Sequence, residues 1–163
     1  MTRHSRSQAE DPLNDELLRA RDYVRRLLNF RPRSIQETRT RLKQKRYSAL
    51  IIEQAIQEAE EHGWLDDEAF AKLWVQDRLA TKPKGRAVLK SELRAKGIAN
   101  ELIEQVLSQV DIPEEQMIQQ LIEEQKARYQ GDDRITRERK LYAFLRRRGF
   151  SPEAIRRALR RMM

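Results

Sequence analysis

The chain has 163 residues, 34 Lys and Arg against 26 Asp and Glu, a net charge of +8 and no cysteine. That length suits one ordinary domain or a few small helical modules and excludes a large enzyme core. The missing cysteine excludes disulfides and thiolate metal sites and fits a reducing cytoplasm, while the basic excess favours a polyanionic partner or a protein bound near nucleic acid.

Residues 1–12, MTRHSRSQAEDP, lack the hydrophobic segment of a secretory signal and are expected to form a mobile tail, which holds His4. No apolar run approaches the ~20 residues of a membrane span, so no membrane association is predicted. Beyond the tail the spacing of apolar residues is helical. Ala20, Tyr23, Val24 and Leu28 share one face, followed by LKQKRYSALIIEQAI at 42–56. The pattern then returns: Ala71, Trp74, Val75 and Leu79, followed by LRAKGIANELIEQVL at 93–107. In PEEQMIQQLIEEQKARYQ the residues Met117, Ile118, Leu121 and Ile122 form one stripe, and after a longer connector around QGDDRIT comes LRRRGFSPEAIRRAL at 145–159.

The stretches at 42–56, 93–107 and 145–159 align without a gap at a period of about 51 residues, the signature of repeated supersecondary units, and the helices before them are a weaker echo. Leu42, Leu93 and Leu145 share a position, as do Tyr47, Ile98 and Phe150, then Ile52, Ile103 and Ile155, then Ile56, Leu107 and Leu159. Gly97 and Gly149 suit a left-handed residue that ends a helix, and Ser48 and Ser151 suit the N-cap of the next one. The predicted fold is all-α. It consists of three tandem three-helix repeats, residues 13–62, 64–110 and 112–163, stacked as an elongated, curved array. Arg46 takes the turn position that glycine holds in the other two repeats, so the first turn is expected to differ.

Catalytic chemistry is not evident: His4 and His62 are isolated, glycine is too sparse for a phosphate loop, and no metal cluster or cofactor motif is present. In GWLDDEAFA, residues 63–71, Asp66 and Asp67 diverge on a helix and read as a cap with Glu68 in the first turn, not as metal ligands. Trp64 and Leu65 are expected to pack against Phe70, and Trp64 and Trp74 to belong to the core. Charge is distributed unevenly. Between Glu53 and Glu68 there are seven acids and no Lys or Arg, whereas Arg134 to Met163 holds eleven basic residues with only Glu138 and Glu153. Arg146, Arg147, Arg148, Arg156, Arg157, Arg160 and Arg161 thus form the candidate anion-facing surface, and Lys82, Lys84, Arg86 and Lys90 a secondary basic group.

Together these pieces resemble the RecX family of bacterial recombinase regulators. The likeness is carried by Gly63, Trp64, Leu65, Asp66, Asp67, Phe70 and Ala71, by Arg78 and Gly85, and by ELRAKGI at 92–98 with Leu93 and Gly97, echoed by LRRRGF at 145–150. These motif residues read as mainly structural. The resemblance covers nearly all of the chain beyond the tail. It implies a non-enzymatic, cytoplasmic regulator in DNA repair, recombination and the SOS response. Such a protein binds the RecA nucleoprotein filament along its groove and restrains filament extension, recombinase activity and ATPase. It is expected to act as a monomer without a cofactor, meeting single- or double-stranded DNA in the filament context. The alternative is a helix-turn-helix-like protein acting directly on DNA. Base-edge readers place Asn, Gln, Arg or Ser on successive exposed helical turns, whereas helix 100–109 offers Glu101 and Glu104, which favours a protein partner for the middle repeat.

Overall fold

The computed structural model describes residues 11–163. Most of the expected tail, His4 included, lies outside the described residues, and its last two positions belong to the fold instead. The Asp11 carboxylate accepts the Leu13 amide at 3.1 Å, and Pro12 opens the first helix, where its missing N–H costs nothing.

Among the described residues there are nine α-helices and no strand: α1 Pro12–Phe30, α2 Ile35–Gln44, α3 Ala49–Glu61, α4 Asp67–Thr81, α5 Arg86–Ala95, α6 Asn100–Gln109, α7 Glu114–Lys126, α8 Arg134–Arg147 and α9 Pro152–Met162. The longer connector before α8 contains one 3-10 turn, Ala127–Tyr129. The helices form three successive three-helix repeats. They are gathered into two compact units, the described residues up to Phe70 and Ala71–Met163.

In the first unit α3 packs on α1 and α2 around Ala20, Val24, Leu42, Ile52, Ile56 and Leu65, all buried, with Trp64 and Tyr47 partly buried against them. In the second unit the same repeat positions are filled by Ala71, Val75, Leu93, Ile103 and Leu107, then by Leu145, Ile155 and Leu159, again all buried. The stripe Met117, Ile118, Leu121 and Ile122 is buried on α7 as its spacing predicts. Phe70 is also buried. Each buried Val, Leu, Ile, Met or Phe side chain contributes roughly 1.5–3 kcal/mol through removal from water. Conservation of apolar character through the repeats therefore has a direct physical cause.

The helix-ending turns are built alike. The amide after each left-handed residue donates to a carbonyl five residues back: Tyr47 to Leu42 at 3.4 Å, Ile98 to Leu93 at 3.1 Å and Phe150 to Leu145 at 3.3 Å, with Trp64 to Ala59 at 2.8 Å after α3. Gly63, Gly97 and Gly149 have φ of 71°, 79° and 89°. Arg46 corrects the expectation for the first repeat, because its φ is 63° and its turn keeps the same geometry despite the side chain. The bonds that satisfy the end of α2 and the burial of Leu42 outweigh the strain of a Cβ in this conformation. Arg46→Gly is accordingly expected to stabilise the first unit by about 0.5–1 kcal/mol. Chemical denaturation checks this, and a destabilised variant would show that the Arg46 side chain contributes contacts that outweigh the strain.

Candidate functional site

The seven C-terminal arginines do not form one surface. Arg146 and Arg148, at the end of α8, are tied to the backbone: their guanidinium groups donate to the carbonyls of Phe150 at 2.9 Å and Pro83 at 3.3 Å. Arg157 and Arg161, on one face of α9, meet Glu115 of α7 at 3.3 and 3.5 Å. Arg147 is exposed. Arg156 and Arg160, on the neighbouring face of α9, join Arg134 and Arg139 of α8 around Tyr142, lining a concavity of about 480 Å³. Within it Arg134 is held by Glu138 at 2.9 Å, whereas Arg139, Arg156 and Arg160 have no carboxylate partner among the described residues. Arg156 lies 5.9 Å from the Tyr142 ring centre, and Ile135 at the rim is 80% exposed. An unneutralised cationic cluster beside an aromatic ring suits a planar or phosphorylated anion. Arg139 and Tyr142 escape a sequence reading because only the packing of α8 on α9 brings them to Arg156 and Arg160.

Three residues of the secondary basic group are internal ties. Lys84 is paired with Glu92 and Lys90 with Glu104. The Arg86 guanidinium donates to the Leu107 carbonyl at the end of α6 at 2.8 Å, while its amide, at the start of α5, is accepted by Glu114 of α7 at 3.1 Å. Lys82 and Arg86 are exposed, and Lys82 makes no ion pair among the described residues.

Glu92, in the ELRAKGI motif, is the hub of the second repeat. Its carboxylate accepts from Trp74 Nε1 at 2.9 Å and Arg78 Nε at 3.2 Å, and is paired with Lys84. Burial disfavours its charge, but the bonds from Lys84 and Trp74 and the charges of Lys84 and Arg78 outweigh that and hold the carboxyl below its usual range. Arg78 and Lys96 lie 4.5 and 5.0 Å from the Trp74 ring centre. Trp74 is therefore half-buried and polar at one edge instead of a core residue, since its indole N–H needs an acceptor. Tyr23, its counterpart in the first repeat, is likewise half-buried and takes Lys45 at 5.4 Å.

The motif GWLDDEAFA resolves into two caps. Asp66 accepts the Ala69 amide at 3.1 Å and caps the start of the helix that follows it, α4; Asp67 reaches the Ile35 amide at 2.9 Å, the first residue of α2. Burial raises the Asp67 carboxyl above its ordinary value, with the Ile35 amide opposing the shift. Among the described residues no group of three His, Asp or Glu side chains is placed to hold a metal ion.

A second concavity, of about 810 Å³, lies in the first unit beside α1, lined by Arg19, Asp22, Arg25, Arg26, Tyr47 and Trp64 among others. Arg25 lies 4.7 Å from the Trp64 ring centre, and the His62 ring stacks on Trp64 at 4.9 Å. Sequence reading assigns Trp64 to the core and passes over these arginines, because acids intersperse them along the chain. The face emerges only when the α3–α4 turn brings Trp64 against α1.

Comparison with known proteins follows the same division. Residues 20–58, 66–107 and 113–159 match the first, second and third three-helix domains of RecX. The chain is 34% identical over 141 residues to the regulatory protein RecX of Chlorobium phaeobacteroides, covering 86% of this chain and 91% of that relative. With the regulatory protein RecX of Streptomyces coelicolor it shares 32% over 151 residues, covering 92% and 80%. The crystal structure of RecX from Lactobacillus salivarius has the same fold, with a TM-score of 0.83 at 21% identity over 91% of this chain and 97% of that one. No described helix is long and apolar enough to cross a membrane. With all three repeats matched in order and over most of its length, the chain belongs to the RecX family, a family of regulatory proteins and not of enzymes.

Proposed function

We propose that this protein binds the RecA nucleoprotein filament and restrains its extension, its ATPase and its recombinase activity, acting in the cytoplasm as a monomer and without a cofactor. Membership of the RecX family through all three repeats carries this reading. Repeated modules suit a polymeric target, because each added contact is made at high effective concentration once the first has formed. In this reading Arg139, Arg156 and Arg160 beside Tyr142 meet the DNA phosphates of the filament, and Lys82 and Arg147 add long-range attraction.

Direct reading of duplex bases is less well supported. The exposed face of α6 carries Glu101 and Glu104, Glu104 is already engaged by Lys90, and the helix has no Lys or Arg of its own, so this face offers phosphates no cation. The test follows RecA-dependent ATP hydrolysis on single-stranded DNA with this protein added below the RecA concentration. Inhibition is expected. Its absence, combined with sequence-specific duplex binding, would replace the filament reading with the direct one.

Reversing Arg139, Arg156 and Arg160 to Glu is expected to weaken filament binding about tenfold or more and to flatten the log–log salt dependence by about 1 for each lost phosphate contact. None of the three holds a carboxylate partner, so helix content should be unchanged. Unaltered binding and salt dependence would move the interface elsewhere.

A further inference from the structure

We infer that the concavity beside α1 is a docking site for an acidic, ring-bearing or otherwise apolar-anchored peptide segment of a protein partner, separate from the arginine cluster of α8 and α9. Three features point to this chemistry. First, Arg19, Arg25 and Arg26 line it, against Asp22 as the one acid among the described residues of its wall, and none of these arginines makes an ion pair among the described residues. A wall with this excess of unneutralised cations favours carboxylates.

Second, Arg25 is pre-positioned. Its guanidinium rests on the Trp64 ring, which His62 also contacts, so the cation loses little freedom when an anion arrives. The same contacts already occupy Trp64, which leaves it less available for stacking with a nucleobase.

Third, the surroundings have the composition of a protein interface. Arg, Trp and Tyr are the residue types that dominate binding hot spots. Phe30, next in the chain to the lining residue Asn29, is 84% exposed, a large apolar side chain that a phosphate backbone has no use for and a peptide side chain does. Asp22 and Asn29 supply acceptors for peptide N–H groups, which a phosphodiester backbone lacks. A peptide partner is favoured over nucleic acid on both grounds.

The site offers the protein component of a filament a place to bind, but the inference does not depend on which protein supplies the segment. It is tested on the full chain carrying Trp74→Phe, so that Trp64 alone reports. The probes are a short Glu-rich peptide with one central phenylalanine, a lysine-rich peptide of the same length, and an oligothymidylate. The acidic peptide is expected to change Trp64 fluorescence saturably, with affinity falling as salt rises, and the lysine peptide to have no effect. The double variant Arg19→Glu/Arg26→Glu should lose about tenfold or more in affinity for the acidic peptide. A milder Phe30→Ala should weaken it without altering the salt dependence, and circular dichroism should show intact helices in both. Oligothymidylate binding at this site with the same dependence on Arg19 and Arg26, and tighter than the peptide, would reassign it to nucleic acid. No response to the acidic peptide, or a response indifferent to Arg19 and Arg26, would overturn the inference while leaving inhibition of RecA to be judged on its own assay.

Discussion

Gly85→Ala is expected to lower the stability of the Ala71–Met163 unit by about 3 kcal/mol or more, because overpacking a contact that consists of backbone on both sides leaves no flexible atom to yield. A Cβ at residue 85 would lie 2.2 Å from the carbonyl oxygen of Gly149, 2.4 Å from its carbonyl carbon and 2.7 Å from the amide nitrogen of Phe150. The clash is reciprocal. A Cβ on Gly149 would lie 2.6 Å from the amide nitrogen of Val88, and the φ of 89° at Gly149 penalises any side chain there independently. This close approach lets the Gly85 amide donate to the Arg148 carbonyl at 2.7 Å while the Arg148 side chain returns to the Pro83 carbonyl at 3.3 Å. The loop between α4 and α5 is thereby locked onto the turn between α8 and α9, joining the second repeat to the third. Urea denaturation followed by circular dichroism measures the effect. Gly131→Ala is the control, since its Cβ would meet nothing within 4 Å and should change stability little. Equal midpoints for the two variants would rule out the joint. In a binding assay Gly85→Ala should also reduce inhibition, because the same turn orients the helices that carry Arg139, Arg156 and Arg160.

Removing Glu92 should have the next largest effect. In Glu92→Ala the Trp74 N–H, Arg78 and Lys84 lose a shared acceptor at a site where the Glu92 and Lys84 side chains are each only 18% exposed, and the expected cost is about 2–3 kcal/mol. Glu92→Gln, which keeps an acceptor for Trp74, should cost less. The pH dependence gives a sharper signature. The folded carboxyl titrates below its ordinary value of 4.5, so its contribution is complete above that value and fades as pH falls through the lower folded value. The stability gap between wild type and Glu92→Gln should therefore be constant at neutral pH and narrow below about pH 4.5. A gap that stays constant, or widens, in acid would show that Glu92 acts through shape and not through charge.

The two experiments concern residues whose importance was visible in the chain but whose roles were not. Gly85 and the ELRAKGI segment stand out in the sequence as parts of a motif. Gly97 and Gly149 could be assigned to helix-ending turns from their neighbours alone, because a left-handed residue followed by an apolar one is a local arrangement. Gly85 could not, as its partner lies at Gly149, far away in the chain. Arg46 shows the opposite failure. Local strain argued for a different turn, and the bonds and burial around Leu42 and Tyr47 overrode it.

The same boundary separates the fold from the candidate sites. Helix positions, the three repeats, the apolar stripes and a capping role for one of the paired aspartates follow from interactions within a few residues and from a periodicity that the chain states three times; the amino-acid order was sufficient for them. The fate of each charge was not. Arg157 and Arg160 occupy the same short helix, yet one is neutralised by Glu115 and the other stands open beside Tyr142; Lys84 and Arg86 flank one glycine and both are spent on internal carboxylates and carbonyls. Whether a cation is available to a partner depends on which acids and carbonyls the packing of distant helices brings within about 4 Å, where ion pairs form. That information arises only when the helices pack in three dimensions.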